Sequence, residues 1–276
     1  MTEAALGGSA EEISATRLAE IGLRFETDGE IATITLARPE KRNAQTFATW
    51  SALAEIGENL PERVRVVVIK GEGPSFSAGL DLRMFTAEGA GGEGTERESF
   101  ASTAKLDQAT LERRIAEAQR GFLWLRRPHI VSIAAVQGHA IGAGFQLALA
   151  CDLRVLADDA QLCMKEPALG LVPDLTGTKP LVELVGLPRA MEMCLTARTV
   201  GAAEAQRLGL AELVVPRGEL AQAVGDLAAA LLATGHEAAT ATKRLLQGAP
   251  YRTLEEQAAA ERHEQAARIR SLFAAG

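Results

Sequence analysis

Twice along this chain a run of buried-type residues enters a glycine turn that opens a helix. The first passage is VRVVVIKG (64–71) followed by SFSAGLDL (75–82). The second is HIVSIAAVQG (129–138) followed by IGAGFQLALAC (141–151). The β-branched runs read as buried strands, and DLRVLA (152–157) supplies a third. Strand, glycine turn, helix and strand again indicate a mixed α/β fold. Turns of this kind leave backbone N–H groups unpaired and aimed outward. Two of them meeting at one point would cradle a developing oxyanion.

The remaining segments fit around that frame. Leu23–Thr27 and Ile31–Leu36 flank Asp28-Gly29 and read as a hairpin. ARPEKRNAQ (37–45) is a loop, Thr46–Leu60 a helix stopped by Pro61, and Leu106–Arg126 a helix stopped by Pro128. The stretch 86–98 is polar and glycine-rich and is expected to be flexible. From Leu181 onward the pattern is nearly all helical, with LAELVV (210–215) as a last short strand. The tail 252–273 is amphipathic and should pack on a partner subunit or on the core. The expected division is an extension over 1–18, a core over 19–205 and a mainly helical region over 206–276.

Composition narrows the partners. The chain has 276 residues, 47% of them hydrophobic, so one large domain or one domain plus an appendage is expected. Its net charge of −7 and lack of a basic stripe argue against nucleic acid, while a local basic pocket for a small anion is compatible. Cys151, Cys163 and Cys194 are far apart and match no metal-site spacing, so buried thiols in a reducing compartment are expected. The first twenty residues carry acids and no apolar core, and no apolar run reaches about 18 residues. No signal peptide and no membrane span are expected, and a cytoplasmic location follows.

The stretch KEPALGLVPDLTGT (165–178) is mostly apolar and small, yet holds Glu166 and Asp174 eight residues apart. Asp174 could begin a helix while Glu166 pairs with Lys165 or a neighbouring Arg. Alternatively the two carboxyls move protons. Pro167 biases Glu166 toward an extended backbone. His139 is expected to be a hydrogen-bonded structural residue, and Trp50 and Trp124 to belong to the core.

Taken in order, RPEKRNA, FSAGLDL, VQGHAIGAGFQLALACD and the 165–178 stretch resemble the enoyl-CoA hydratase/isomerase (crotonase) superfamily over residues 20 to 210. The resemblance implies a spiral of ββα units with a helical C-terminal part that mediates trimers, often paired into a dimer of trimers. It also implies acyl-CoA substrates and no metal or organic cofactor. The family's oxyanion-hole donors match the backbone N–H groups of Leu80 and Ala143. Its CoA-binding loop matches Arg38, Lys41, Arg42 and Ala44, with the backbone near Ala44, Ala78 and Gly79 along the pantetheine path and Lys243 as a further phosphate contact.

The acids depart from the hydratase pattern. Hydratases of this family use two glutamates, and the matching positions here are Gln146 and Glu166. Gln cannot serve as a base. Lys165-Glu166, Gly170-Leu171 and Asp174 instead resemble the Δ3,5-Δ2,4-dienoyl-CoA isomerase branch, although that branch has Asp where Gln146 stands. The expected activity is therefore double-bond isomerisation through Glu166 and Asp174. Hydration, with Glu166 activating water that Asp174 or Gln146 positions, is the alternative. A non-catalytic acyl-CoA binding protein is the third.

Overall fold

The computed structural model describes residues 14–86, 88–90 and 99–273. The expectations for 1–18 and 86–98 fall largely outside these residues. The hairpin forms from β1 (Leu23–Asp28) and β2 (Ile31–Leu36), with Gly29 and Glu30 in the turn and Gly29 at φ 55°. β3 (Val66–Gly71), β4 (Val131–Val136), β6 (Leu153–Ala157) and β9 (Leu213–Val215) then extend the sheet in the order β1-β2-β3-β4-β6-β9. Within this sheet only the β1–β2 pair is antiparallel among the described residues.

Parallel strands are covered on both faces, and β3 shows how this sequence meets that demand. Val67 and Ile69 point into the larger core with Ile34, Leu53 and Phe122. Val66 and Val68 point the other way, against Ile133, Val155 and the Val224 side of helix Leu220–Leu232. The period of two along a strand sends alternate residues to opposite layers. Each such fully buried side chain contributes about 1.5–3 kcal/mol over an exposed one.

A second sheet joins β5 (His139–Ile141), β7 (Gln161–Cys163) and β8 (Val200–Gly201) in the order β5-β7-β8. Sequence patterning did not indicate it, because strands of two or three residues carry no readable period. Trp50 and Trp124 are core residues as expected, and the Trp50 indole N–H donates to Gln45 Oε1 at 2.8 Å.

The C-terminal part ends in two paired helices, His236–Gly248 and Leu254–Phe273. Arg244 makes two bonds to Glu264, and Arg268 pairs with Glu237. No residue of Leu254–Phe273 is buried within one chain. Among the described residues no helix is long and apolar enough to cross a membrane.

Lys243 corrects one expectation. Its Nζ donates to Arg127 O at 2.9 Å, Ile130 O at 2.7 Å and Asp152 Oδ2 at 2.6 Å. An ammonium has three N–H groups, so none is left for a phosphate. Asp152 Oδ2 also accepts from the Ser132 N–H and hydroxyl. The pair therefore ties the C-terminal helices to the ends of β4 and β6. Lys243→Met would leave Asp152 half-enclosed without its cation. We expect it to lose about 3 kcal/mol in denaturant unfolding, the scale for a broken buried pair, with an unchanged KM for acyl-CoA.

Candidate active site

The site begins where the two glycine turns touch. Ser77 N–H donates to His139 O at 2.8 Å, and Ile141 N–H donates to Ser77 O at 3.0 Å. These bonds run the first turn alongside β5. Each segment then bends at a glycine with positive φ, Gly79 at 86° and Gly142 at 51°. A Cβ on Gly79 would lie 2.3 Å from Ile141 O and 3.5 Å from Ala143 N. Only glycine permits both that approach and that conformation.

The N–H following each of these glycines is left over. Gln45 N–H donates to Gly79 O and accepts, through its carbonyl, the Asp81 N–H. This brackets Leu80 and leaves its own N–H outside the ladder. Ala143 opens helix Ala143–Ala150, so its N–H has no intrahelical acceptor and lies at the positive end of the helix dipole. Neither N–H donates to any group among the described residues.

Glu166 sits against this corner, its Oε1 3.2 Å from where a Cβ on Gly142 would be. Its backbone is not extended as expected but opens the 3-10 turn Glu166–Leu169. Pro167 fits there because the first turn of a helix does not use its N–H. Bonds from Ala168, Gly170 and Leu171 to Lys165, Pro167 and Glu166 carbonyls close the turn and override the pre-proline preference. The Glu166 residue is 8% exposed; Oε1 accepts from Gln146 Nε2 at 2.6 Å, and Oε2 is buried with no partner.

Gln146, one turn into the same helix, is 0% exposed. Its Oε1 accepts from Leu175 N–H at 2.9 Å and Gly177 N–H at 3.2 Å. Two donors on one atom require the oxygen there, so the NH2 group faces Glu166. Enclosed in this way, Gln146 is a neutral hydrogen-bonding group that holds Glu166 on one side and the 175–177 backbone on the other.

The cap-and-ion-pair alternative fails for both acids. Helix Thr178–Val185 is preceded by Gly177 at its N-cap and has no side-chain cap from Asp174. Glu166 has no cationic partner among the described residues. Burial pushes the Glu166 carboxyl above its ordinary range, and the charge of Asp174 adds to this against the Gln146 donor. Burial also pushes the Asp174 carboxyl up.

Loop 38–44 is rigid and partly self-satisfied. Arg38 donates to Asp81 Oδ2 at 3.0 Å and to Ala44 O at 3.2 Å, so it is a strut of the loop and not a free cation. Burial alone would raise the Asp81 carboxyl, but the bonds from Arg83 and Arg38 outweigh it and bring it down to about 2. Asn43, at φ 55°, bonds to Arg38 N–H and to the Glu72 and Ser75 carbonyls. Lys41 and Arg42 remain exposed, with no side-chain partner among the described residues. The N–H groups of Ala78 and Gly79 are taken by Arg42 O and Ser77 Oγ. Sequence reading missed Asn43 and Asp81, although an Asn ahead of a helix start is a known signal for a left-handed turn. A separate cleft of about 360 Å³, lined by Phe47, Thr110 and Arg113 among others, holds none of these residues.

Residues 26–272 match the model of the enoyl-CoA hydratase/isomerase family. The chain belongs to this family. A candidate enoyl-CoA hydratase from Thermobifida fusca YX, solved in complex with acetoacetyl-CoA, is 59% identical with a TM-score of 0.88, covering 94% of this chain and 98% of that one. The peroxisomal Δ3,5-Δ2,4-dienoyl-CoA isomerase of Arabidopsis thaliana is 31% identical over 81% of this chain and 80% of its own length. The peroxisomal multifunctional protein MFP2 of A. thaliana is 36% identical over 71% of this chain, which spans only 25% of that longer protein. These relatives agree with the crotonase fold, in which the helical part follows the β-rich core.

The buried Glu166 and the half-buried Asp174 have no cationic partner among the described residues, and this costs stability. A carboxyl whose pKa is raised on folding binds its proton more tightly in the folded state, so stability falls as pH rises from the ordinary value through the raised one. Glu166→Gln and Asp174→Asn remove that penalty. Each should raise the Tm by about 1–3 °C at pH 8, and by less near pH 4, in thermal melts followed by circular dichroism.

Proposed function

We propose that the chain is an acyl-CoA double-bond isomerase. The observation that carries this reading is the pairing of two carboxyls with raised pKa, the buried Glu166 and the half-buried Asp174, beside a fully enclosed Gln146. A hydratase of the two-glutamate kind needs a second carboxylate at that place to hold water. Here the amide oxygen is occupied by two backbone donors and one amide N–H by Glu166.

In this mechanism the thioester oxygen lies between the N–H groups of Leu80 and Ala143. Glu166 Oε2 takes a proton from the carbon chain, and the electron pair moves onto the thioester oxygen as an enolate. The two N–H donors stabilise that charge, by about 2.7–4 kcal/mol for a single donor in a comparable site. The enolate collapses as Asp174 gives a proton to a more distant carbon, and the double bonds shift without addition of water. Raised carboxyl pKa values suit both steps, since one group holds a proton and the other is a stronger base than an exposed acid. Lys41 and Arg42 would meet the CoA phosphates, with the Ala44, Ala78 and Gly79 backbone along the pantetheine. The reaction needs no metal and no cofactor beyond the CoA of its substrate. The exposed apolar side chains Leu187, Met191 and Leu195 and the tail helix are assigned to contacts in a homotrimer or dimer of trimers. A cytoplasmic location belongs to the same reading.

Hydration is the second reading, and the description of the T. fusca relative favours it. The test follows 3,5-dienoyl-CoA by diene absorbance and 2-enoyl-CoA by product mass. Wild-type protein should isomerise the first, and Glu166→Gln and Asp174→Asn should each lower kcat by about 10²-fold. Brisk hydration of 2-enoyl-CoA without turnover of dienoyl-CoA would overturn the isomerase reading. Tight acyl-CoA binding with turnover of neither substrate would mark a binding protein.

A further inference from the structure

Thr176 stands at φ 70°, a left-handed conformation that a β-branched residue adopts only when its surroundings impose it. Its two neighbours show what imposes it. Leu175 N–H and Gly177 N–H both donate to Gln146 Oε1, at 2.9 and 3.2 Å. One side-chain oxygen thus clamps the backbone on both sides of the strained residue. Gly177 is close enough that a Cβ there would lie 2.7 Å from Gln146 Cγ. On the upstream side Asp174 O accepts from Gln119 Nε2 at 2.7 Å, and the Leu175 side chain is buried. The other end of the same amide donates to Glu166 Oε1 at 2.6 Å.

The geometry points to Gln146 as a positioning residue that sets both carboxyls at once: it holds Glu166 through its nitrogen and the strained 174–177 turn that carries Asp174 through its oxygen. The inference rests on the isomerase reading for the roles of the two acids, but the clamp itself does not depend on which reaction they perform. An amide suits the task because it offers an acceptor and a donor on one rigid plane. The donor favours the ionised form of Glu166 and so opposes the burial that would otherwise keep it neutral. Relieved of the clamp, Thr176 would leave the left-handed region and carry Asp174 with it.

Two readouts separate the clamp from the reaction. The first is hydrogen exchange of the Leu175 and Gly177 amides in the ligand-free chain. Gln146→Met removes both ends of the clamp, so exchange at these two amides should speed up by about 10-fold or more relative to the amides of β4. Gln146→Glu keeps an oxygen for the two N–H donors, so their protection should stay near wild type, and this variant serves if the methionine chain does not fold. The second readout is the pH profile of kcat/KM for whichever acyl-CoA the wild type turns over. Both variants lose the donor to Glu166, so the acid limb should move to higher pH, whereas Thr176→Gly, which keeps the clamp and relieves the strain, should leave that limb in place. Unchanged exchange at Leu175 and Gly177 in Gln146→Met, or lost protection there in Gln146→Glu, would overturn the proposal. An unmoved acid limb in both variants would do the same. Failure of the isomerase reading would instead appear as a different wild-type product, with the exchange pattern as stated.

Discussion

The backbone pairing of Ser77 with His139 and Ile141 is the constraint on which the site depends. It brings together two turns that are some sixty residues apart in sequence and belong to different strand–helix passages. Once they are side by side, Gly79 and Gly142 can bend both segments at the same place, and the N–H groups of Leu80 and Ala143 are left without acceptors among the described residues. The large sheet makes this possible by fixing β3 next to β4, because each turn leaves the C-terminal end of one of these strands. Elements that seem remote serve the same end. Arg38, Asn43 and Asp81 keep loop 38–44 against the first turn, and the Lys243–Asp152 pair keeps the helical region on β4 and β6.

The treatment of buried charge separates support from chemistry. Asp81 and Asp152 are enclosed and each meets a cation, Arg38 and Arg83 for one and Lys243 for the other. Glu166 is buried and Asp174 half-buried, and neither meets a cation among the described residues. Uncompensated burial of a carboxyl is unfavourable, and the fold sustains it through the neutral hydrogen bonds that Gln146 and the 165–171 turn provide. Carboxyls whose pKa is displaced in this manner are characteristic of sites where protons move.

Much of this was legible from the sequence, for physical reasons that differ by element. The long β-branched runs of β3, β4 and β6 and the hairpin turn announce themselves because their patterns extend over many residues. The two acids are visible as anomalies in an apolar stretch, and the glycine turns by their position between strand and helix. What stayed hidden involves partners set by the tertiary fold. Gln146 reaches N–H groups 29 and 31 residues away, and Lys243 reaches a carboxylate 91 residues away. Nothing local distinguishes an amide that clamps a strained turn from one that contacts a ligand, or a lysine in a buried pair from one that binds phosphate. The turn at Glu166 illustrates a further limit, since the local preference imposed by Pro167 lost to three backbone hydrogen bonds.

The central claim is that two different carboxyls move protons around an enolate and that water takes no part as a nucleophile. The most direct measurement is turnover of 3,5-dienoyl-CoA in heavy water enriched in oxygen-18, with the product analysed by mass spectrometry. In the proposed isomerase mechanism Asp174 exchanges its proton with solvent before delivering it, and Glu166 takes a different one. The account therefore predicts carbon-bound deuterium in the product and no oxygen-18. A product that carries oxygen-18 on its carbon chain would contradict it.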